Sequence, residues 1–274
     1  MQQFANPVLD AVGKFLALFG EDAVAIIVVT LFLWCIDKRF GYRMGIVLVG
    51  GTVLSSWLKL LFKVPRPWER NVEGYMEPLR KQTATGYSFP SGHTQVAFSN
   101  ALMLAKRWKK GWTSVLMIAA ASLVGLSRIY CRVHTWQDVA GGLALALLCV
   151  FGLDLLVRFL MEKRWGMLVF LVPAAFLMVF WRDADLYKAC GMLVSVCAGY
   201  CIENNYIRYE VKAKWWVQIL KMILGVGLVL AVRIVIKKVF GTSIIVDFIR
   251  YAVMGLLVSA GCPWLFQKLF GKIK

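Results

Sequence analysis

Apolar segments long enough to cross a bilayer recur along almost the whole chain, and they restrict its fold more than any other feature. A helix needs about 20 mostly apolar residues to cross the hydrocarbon, where only helices and closed barrels satisfy all their backbone hydrogen bonds. Hydrophobic residues make up 60% of the 274 residues and charged residues only 17%, below the roughly 25% that is usual for soluble proteins. We therefore predict an all-α fold, a polytopic transmembrane helical bundle.

The apolar segments predict about eight spans. One of the nine candidates, 186–204, is weakened because Glu203, Asn204 and Asn205 end it early. Residues 7–19 have the amphipathic spacing of a helix but are too short to span, so we predict an N-terminal interfacial helix there. The nine candidate segments lie at about 22–37, 42–62, 90–107, 112–130, 137–160, 165–181, 186–204, 215–236 and 244–268.

The chain contains only two histidines, and each lies in a short polar cluster between apolar segments. His93 ends the sequence FPSGH, and His134 lies within SRIYCRVHTWQD. A third cluster, KLLFKVPRP, carries Lys59 and Arg66. The order of the predicted spans brings all three clusters to the same membrane face. The stretch 63–89 between two of them is rich in proline, glycine and charge, so we predict a functional loop outside the hydrocarbon.

This combination of residues suits the cleavage of a phosphate ester, which requires cations around the phosphate oxygens. Lys59 and Arg66 are seven residues apart, so on a helix they would share a face. Arg128, at the end of the fourth span, would supply a third cation. Ser91 and Gly92 precede an apolar helix, whose first N–H groups form a natural anion site.

The same reaction requires a nucleophile and an acid. His134 and Asp138 are spaced i,i+4, so on a helix the carboxylate can orient the imidazole and support its charge. A histidine held in this way can attack phosphorus and form a phosphohistidine. His93 has no carboxylate in its own cluster and better suits the general acid.

Each cluster alone has an ordinary structural explanation. Lys59 and Arg66 alone are typical of interfacial residues that extend towards the headgroups, and His134 with Asp138 alone is typical of a helix-surface pair. Their occurrence in order, at one membrane face, favours catalysis. Neither a carboxylate cluster nor a Cys/His cluster near the motifs has the spacing of metal ligands, so no metal or other cofactor is expected.

The three motifs resemble the signature of the type-2 phosphatidic acid phosphatase superfamily over roughly residues 20–160. The resemblance implies metal-independent hydrolysis through a phosphohistidine on His134, with His93 protonating the leaving group. It also implies that the substrate phosphate is held by Lys59, Arg66, Ser91, Gly92 and Arg128. The matching positions are Lys59, Arg66, Pro67, Pro90, Ser91, Gly92, His93, Ser127, Arg128, His134 and Asp138.

The resemblance predicts an integral-membrane hydrolase of lipid phosphates. The membrane-bound members act mostly on phosphatidic acid, phosphatidylglycerophosphate, undecaprenyl diphosphate or sphingoid phosphates. Two alternatives remain open: a phosphotransferase that uses the same phosphohistidine, and a lipid transporter or scramblase built on a phosphatase-like core. The membrane-bound family commonly has six spans, so we divide the chain into a phosphatase core at 1–163 and additional helices of unknown role at 164–274.

The net charge of +17 indicates a membrane partner rather than a nucleic acid. Most Lys and Arg residues flank apolar spans, a placement that fits anionic lipid headgroups and the control of topology. The basic residues concentrate on the face opposite the three clusters. By the positive-inside tendency we predict a multi-pass protein of the plasma membrane with its active site on the extracytoplasmic face. The sequence does not predict an oligomeric state.

Overall fold

The computed structural model describes residues 6–70 and 77–271, and within these ranges the chain forms ten long helices and no strand. The predicted all-α fold is therefore confirmed. The helices are α1 (Pro7–Leu18), α2 (Asp22–Ile36), α3 (Lys38–Phe62), α4 (Gly92–Trp108), α5 (Gly111–Tyr130), α6 (Trp136–Met161), α7 (Gly166–Phe180), α8 (Ala184–Ile207), α9 (Trp215–Phe240) and α10 (Ile244–Phe270).

Six of these helices are long and apolar enough to cross a membrane, namely α3, α5, α6, α8, α9 and α10. The pair α1 and α2, bent by 44°, adds a seventh if it is one span. Helix α4 has 17 residues and α7 is a shorter apolar helix. The structure therefore has six candidate spans, or seven if the bent pair is one span, and together with the shorter helices α4 and α7 it is compatible with the prediction of about eight. The protein is a multi-span integral membrane protein.

One compact unit of the chain consists of residues 1–25 and 54–152. Within it α4 packs mainly against α5 and α6, around Ala97, Phe98, Ala101, Ala121, Val124 and Ala146. Gly142 allows α6 to approach the start of α4, because a Cβ at this position would lie only 2.6 Å from the Ser91 carbonyl oxygen. This close packing positions the FPSGH segment against α6.

The second compact unit consists of residues 26–53 and 153–274, and α8 and α10 form its closest helix pair. Gly199 and Gly255 permit this approach, since a Cβ on either would collide with a serine hydroxyl of the facing helix. Asp154 is fully buried and paired with Arg43 at 2.9 Å. None of the predicted site residues belongs to this unit.

The predicted loop at 63–89 is described except for residues 71–76, which lie outside the described residues. Its described parts contain only two three-residue 3-10 turns, Pro67–Glu69 and Lys81–Thr83. The loop is joined to the segment after α5, because the Leu79 N–H donates to the Cys131 carbonyl at 3.1 Å. It is also joined to the end of α3, because the Ser88 N–H donates to the Val64 carbonyl at 2.8 Å.

Candidate active site

The start of α4 places Ser91 in the site as a fully buried N-cap. Its hydroxyl oxygen accepts from the Thr94 hydroxyl at 2.9 Å, and its backbone N–H donates to the Asp138 carbonyl at 2.9 Å. The Ser91 N–H is thus already used within the protein, and the role of Ser91 in phosphate binding stays a prediction. Gly92 and His93 occupy the first two helical positions, whose N–H groups have no acceptor within a helix.

Arg66 reaches the site from an extended segment. Helix α3 ends at Phe62, and Lys63 adopts a left-handed conformation with φ 47°. The predicted helical face shared by Lys59 and Arg66 is therefore wrong. Pro65 and Pro67 on either side of Arg66 remove two backbone donors, and Pro65 disfavours helical backbone at the residue before it.

The guanidinium of Arg66 is held by backbone carbonyls on two sides. The side chain is 2% exposed and donates to the carbonyl oxygens of Thr85 at 2.6 Å, Gly86 at 3.0 Å and Val133 at 3.0 Å. Its Nη1 atom also lies 3.0 Å from Nε2 of His134. The loop therefore fixes a positive charge directly beside the imidazole.

His134 precedes α6 instead of lying on it. Thr135 is the N-cap of the helix, and Asp138 is the third residue of its first turn. The carboxylate still reaches the ring, with Asp138 Oδ2 3.5 Å from His134 Nδ1. The predicted pairing is thus present, although it arises from the capping turn of α6 and not from a helical i,i+4 contact.

The contacts of His134 assign its tautomer. Asp138 Oδ2 can only accept, so Nδ1 carries the proton and Nε2 carries the lone pair. Arg66 Nη1 lies 3.0 Å from Nε2 and 3.4 Å from Nδ1, so the guanidinium lies over the ring. Burial lowers the pKa of His134 to about 3; the hydrogen bond with Asp138 opposes this shift, and the charges of Arg66 and Arg128 reinforce it. The imidazole is therefore neutral at physiological pH, with a nucleophilic lone pair on Nε2.

Arg128 lies in the last turn of α5 and is fully buried. None of its three side-chain nitrogens has a hydrogen-bond partner among the described residues. A buried guanidinium is normally paired, because a desolvated charge without a partner is costly. The charge of Arg128 acts on both His93 and His134, so its donors suit an anionic ligand beside these rings.

Lys59 and His93 complete the predicted set. Lys59 lies half-buried in the last turn of α3, and its charge acts on both histidines. His93 is half-buried in the first turn of α4. The turn after α1 lies against it, because a Cβ on Gly20 would be 3.1 Å from the Cβ of His93.

Sequence reasoning missed Ser88 and Thr135. The fully buried Ser88 hydroxyl donates to Asp138 Oδ2 at 2.7 Å, and the Thr135 backbone N–H donates to the same oxygen at 2.7 Å. The Thr135-x-x-Asp138 spacing is that of a capping box, so a search for helix caps would have found Thr135. The sequence carries no comparable signal for Ser88. No group of three His, Cys, Asp or Glu side chains suited to a metal occurs among the described residues.

Comparison with known proteins decides the family. Residues 40–165 match the profile of the PAP2 superfamily, and residues 187–273 match that described as "PAP2 superfamily phosphatase, transmembrane extension". Over 149 residues the chain is 30% identical to an undecaprenyl-diphosphatase of Bacillus subtilis, covering 53% of this chain and 74% of the relative. The chain belongs to the PAP2 superfamily. The resemblance inferred from the three motifs is thus confirmed, and this PAP2 protein is a membrane-bound hydrolase of lipid phosphates.

Other PAP2 relatives carry different names. Human sphingosine-1-phosphate phosphatase 2 is 29% identical over 143 residues, covering 50% of this chain and 35% of the relative. The crystal structure of LpxE from Aquifex aeolicus is 29% identical, with a TM-score of 0.49, and covers 56% of this chain and 88% of that protein.

Proposed function

We propose that the protein hydrolyses a lipid phosphate or diphosphate through a phosphohistidine on His134, without a metal ion. The observation that carries this proposal is the fully buried guanidinium of Arg128, whose three nitrogens have no hydrogen-bond partner in the part of the chain that the structure describes. It lies near a neutral imidazole that Asp138 holds in the nucleophilic tautomer. A dianionic phosphate would satisfy the donors of Arg128 and place phosphorus before Nε2.

The first half-reaction transfers the phosphoryl group to the enzyme. Nε2 of His134 attacks phosphorus, the bond from phosphorus to the lipid oxygen breaks, and His93 donates a proton to that oxygen. The positive charge that develops on the imidazole is shared with Asp138 through Nδ1–H. Arg66, which contacts the imidazole ring, donates to the phosphate through Nη1. Arg66, Arg128 and Lys59 then compensate the negative charge of the equatorial oxygens.

The second half-reaction returns the enzyme to its resting state. His93, now neutral, accepts a proton from water, whose oxygen attacks phosphorus as the bond from phosphorus to Nε2 breaks. Inorganic phosphate is released, and the lone pair of His134 is restored.

The substrate is proposed to be a lipid because the protein spans the membrane and its relatives bear lipid phosphatase names. Those names include both an undecaprenyl-diphosphatase and a sphingosine-1-phosphate phosphatase, so both a diphosphate and a monophosphate are candidates. Phosphatidic acid and phosphatidylglycerophosphate are the other candidate substrates.

Purified protein in detergent is expected to release phosphate from at least one of these lipids. Its activity in the presence of EDTA should stay within about twofold of its activity without EDTA. The physical reason is that arginine and lysine cations supply the charge compensation that a metal ion supplies elsewhere. Vanadate should inhibit by adopting a trigonal-bipyramidal geometry at His134. Loss of activity in EDTA that magnesium or zinc restores would contradict the metal-free mechanism.

Addition of an alcohol acceptor separates hydrolysis from phosphotransfer. A hydrolase releases inorganic phosphate whether or not the alcohol is present, whereas a phosphotransferase forms the phosphate ester of the alcohol.

Ser88 is proposed to position Asp138. Ser88→Ala is expected to lower kcat by about 10- to 100-fold with little change in KM, because it removes one hydrogen bond to a carboxylate. Ser88→Thr, which keeps the hydroxyl, should retain more activity. The measurement that separates positioning from general damage is a double-mutant cycle with Asp138→Asn. If Ser88→Ala lowers kcat as much in the Asp138→Asn background as in the wild type, Ser88 does not act through Asp138.

The active site is proposed to face the extracytoplasmic side of the plasma membrane, on the basis of the charge distribution. In a background lacking all seven cysteines, Gln82→Cys should react with an impermeant thiol reagent in intact cells. Lys110→Cys, in the turn between α4 and α5, should react only after permeabilisation. Both side chains are exposed, so a difference in labelling between the two variants reports the side of the membrane and not burial. The opposite pattern of labelling would place the site in the cytoplasm and direct the substrate search to lipids of the inner leaflet.

The helices after residue 163 are proposed to shape lipid access or association. All the residues of the proposed mechanism belong to the part before 164, and this is the reason for dividing the chain at that point.

A further inference from the structure

A basic cavity is lined by α1 and the loop at 78–82, and the mechanism above does not use it. It has a volume of about 370 Å³ and is lined by Lys14, Pro78, Leu79, Arg80, Lys81 and Gln82. This volume falls within the roughly 300–1,000 Å³ of small-molecule sites. Three of the six lining residues are cationic and none is acidic.

The structure ties this cavity to His93. Gly20, in the turn after α1, contacts His93, and the next residue, Glu21, pairs with Arg80. Arg80 also donates to the Lys14 carbonyl at 2.9 Å. The charge of Arg80 acts on both His93 and Arg128.

If His93 protonates the leaving oxygen as proposed, the contacts from His93 through Gly20 and Glu21 to Arg80 put the cavity on the leaving-group side of the reaction. In a phosphoryl transfer the attacking and leaving atoms lie roughly in line, on opposite sides of phosphorus. His134 attacks from one side and His93 protonates the leaving oxygen on the other. Groups that contact the His93 side are placed to meet whatever is attached to that oxygen.

Cations at this position favour a leaving group that is itself negatively charged. Glu21 compensates Arg80. Lys81 Nζ lies 5.8 Å from the centroid of the Trp68 ring, a weak contact at an exposed site, so the ammonium groups of Lys14 and Lys81 are available to an anion in the cavity. Both lysines are exposed, and a lysine ammonium on a flexible stem suits a phosphate whose position varies. A lipid monophosphate leaves as a neutral alcohol and would gain nothing from these charges, whereas a lipid diphosphate leaves as a lipid phosphate.

We infer that this cavity binds the second phosphate of a diphosphate substrate through Lys14 and Lys81. The inference rests on the proposed function and narrows it to diphosphates. Phosphate in the cavity has a second possible source, the headgroup of a neighbouring anionic lipid, and the experiment below distinguishes the two.

The test compares farnesyl diphosphate with farnesyl phosphate, two substrates of the same chain length, in detergent. Lys14→Gln/Lys81→Gln is expected to lower kcat/KM for the diphosphate about 10- to 100-fold and to leave the monophosphate within about twofold. The control is Lys237→Gln/Lys238→Gln, two exposed lysines at the end of α9, which should change neither value. Arg80 is kept because it joins the loop to α1.

Two outcomes would overturn the inference. An equal loss with both substrates, which grows with the phosphatidylglycerol content of mixed micelles, would assign the cavity to a neighbouring lipid. Unchanged kinetics with both substrates would show that the cavity has no role in turnover.

A binding measurement keeps the inference separate from the proposed function. The non-hydrolysable farnesyl methylenediphosphonate should bind the double variant about 10-fold or more weakly than the wild type, while farnesyl phosphonate should bind both equally. If the wild type hydrolyses neither farnesyl substrate, the proposed function is in doubt. The binding comparison still shows whether the cavity binds the second phosphate of a diphosphate. Equal binding of the diphosphonate to variant and wild type would refute the site.

Discussion

Replacement of His134 by alanine is expected to abolish turnover and the phosphoenzyme together. The loss should reach roughly 10⁵- to 10⁶-fold, the scale on which enzymes respond to removal of a nucleophile. Among the described residues of the site, His134 is the imidazole that a carboxylate orients, with Asp138 Oδ2 3.5 Å from Nδ1. The measurement is phosphate release together with trapping of radiolabelled phosphoenzyme under alkaline conditions, where phosphohistidine survives.

A folding control accompanies this variant, because the change removes a buried side chain that is 4% exposed. Its thermal unfolding in detergent should stay close to that of Gln82→Ala, an exposed change in the same unit. If the His134→Ala protein still traps phosphate on a histidine, His134 is not the nucleophile, and the roles of His134 and His93 must be exchanged or abandoned.

Replacement of His93 by alanine is expected to separate the two half-reactions. With a lipid substrate the leaving alkoxide needs a proton, and loss of a general acid typically costs roughly 10²- to 10⁴-fold. With p-nitrophenyl phosphate the leaving group needs no proton, so the first half-reaction should proceed. The second still needs His93 as a base, and the phosphoenzyme should therefore accumulate.

The measurement is the pre-steady-state release of p-nitrophenol. His93→Ala should give a burst that approaches one equivalent of enzyme, followed by a slow steady rate, whereas His134→Ala should give no burst. If His93→Ala lowers the rate equally for both substrates and no phosphoenzyme accumulates, His93 supports the fold of the site instead of transferring a proton.

The sequence was informative about which residues meet and less so about how they meet. Counting spans between the clusters was enough to bring Lys59, His93 and His134 to one face, because helices that cross a membrane alternate in direction. The local backbone at the site was predicted wrongly. Arg66 was placed on a helix that ends four residues earlier, and His134 was placed on a helix that begins after it.

These errors have a common physical cause. Functional residues often lie at the ends of elements, where capping and turn geometry replace helical spacing. The hydrogen bond from Ser88 to Asp138 joins residues 50 positions apart, and local patterns carry no information about such a contact. Similarly, the polar side chains Thr94, Gln95 and Ser99 are buried in α4, so hydropathy alone underestimates how deeply this helix is packed.

The contact between Arg66 Nη1 and the His134 ring bears on the release of the product in the proposed mechanism. Arg66 also donates to three backbone carbonyls, so it keeps partners when inorganic phosphate departs and does not become a bare buried charge. Release of phosphate would then cost little free energy at Arg66. Weak product inhibition is the expected consequence, in a cleft whose density of positive charge would otherwise retain phosphate.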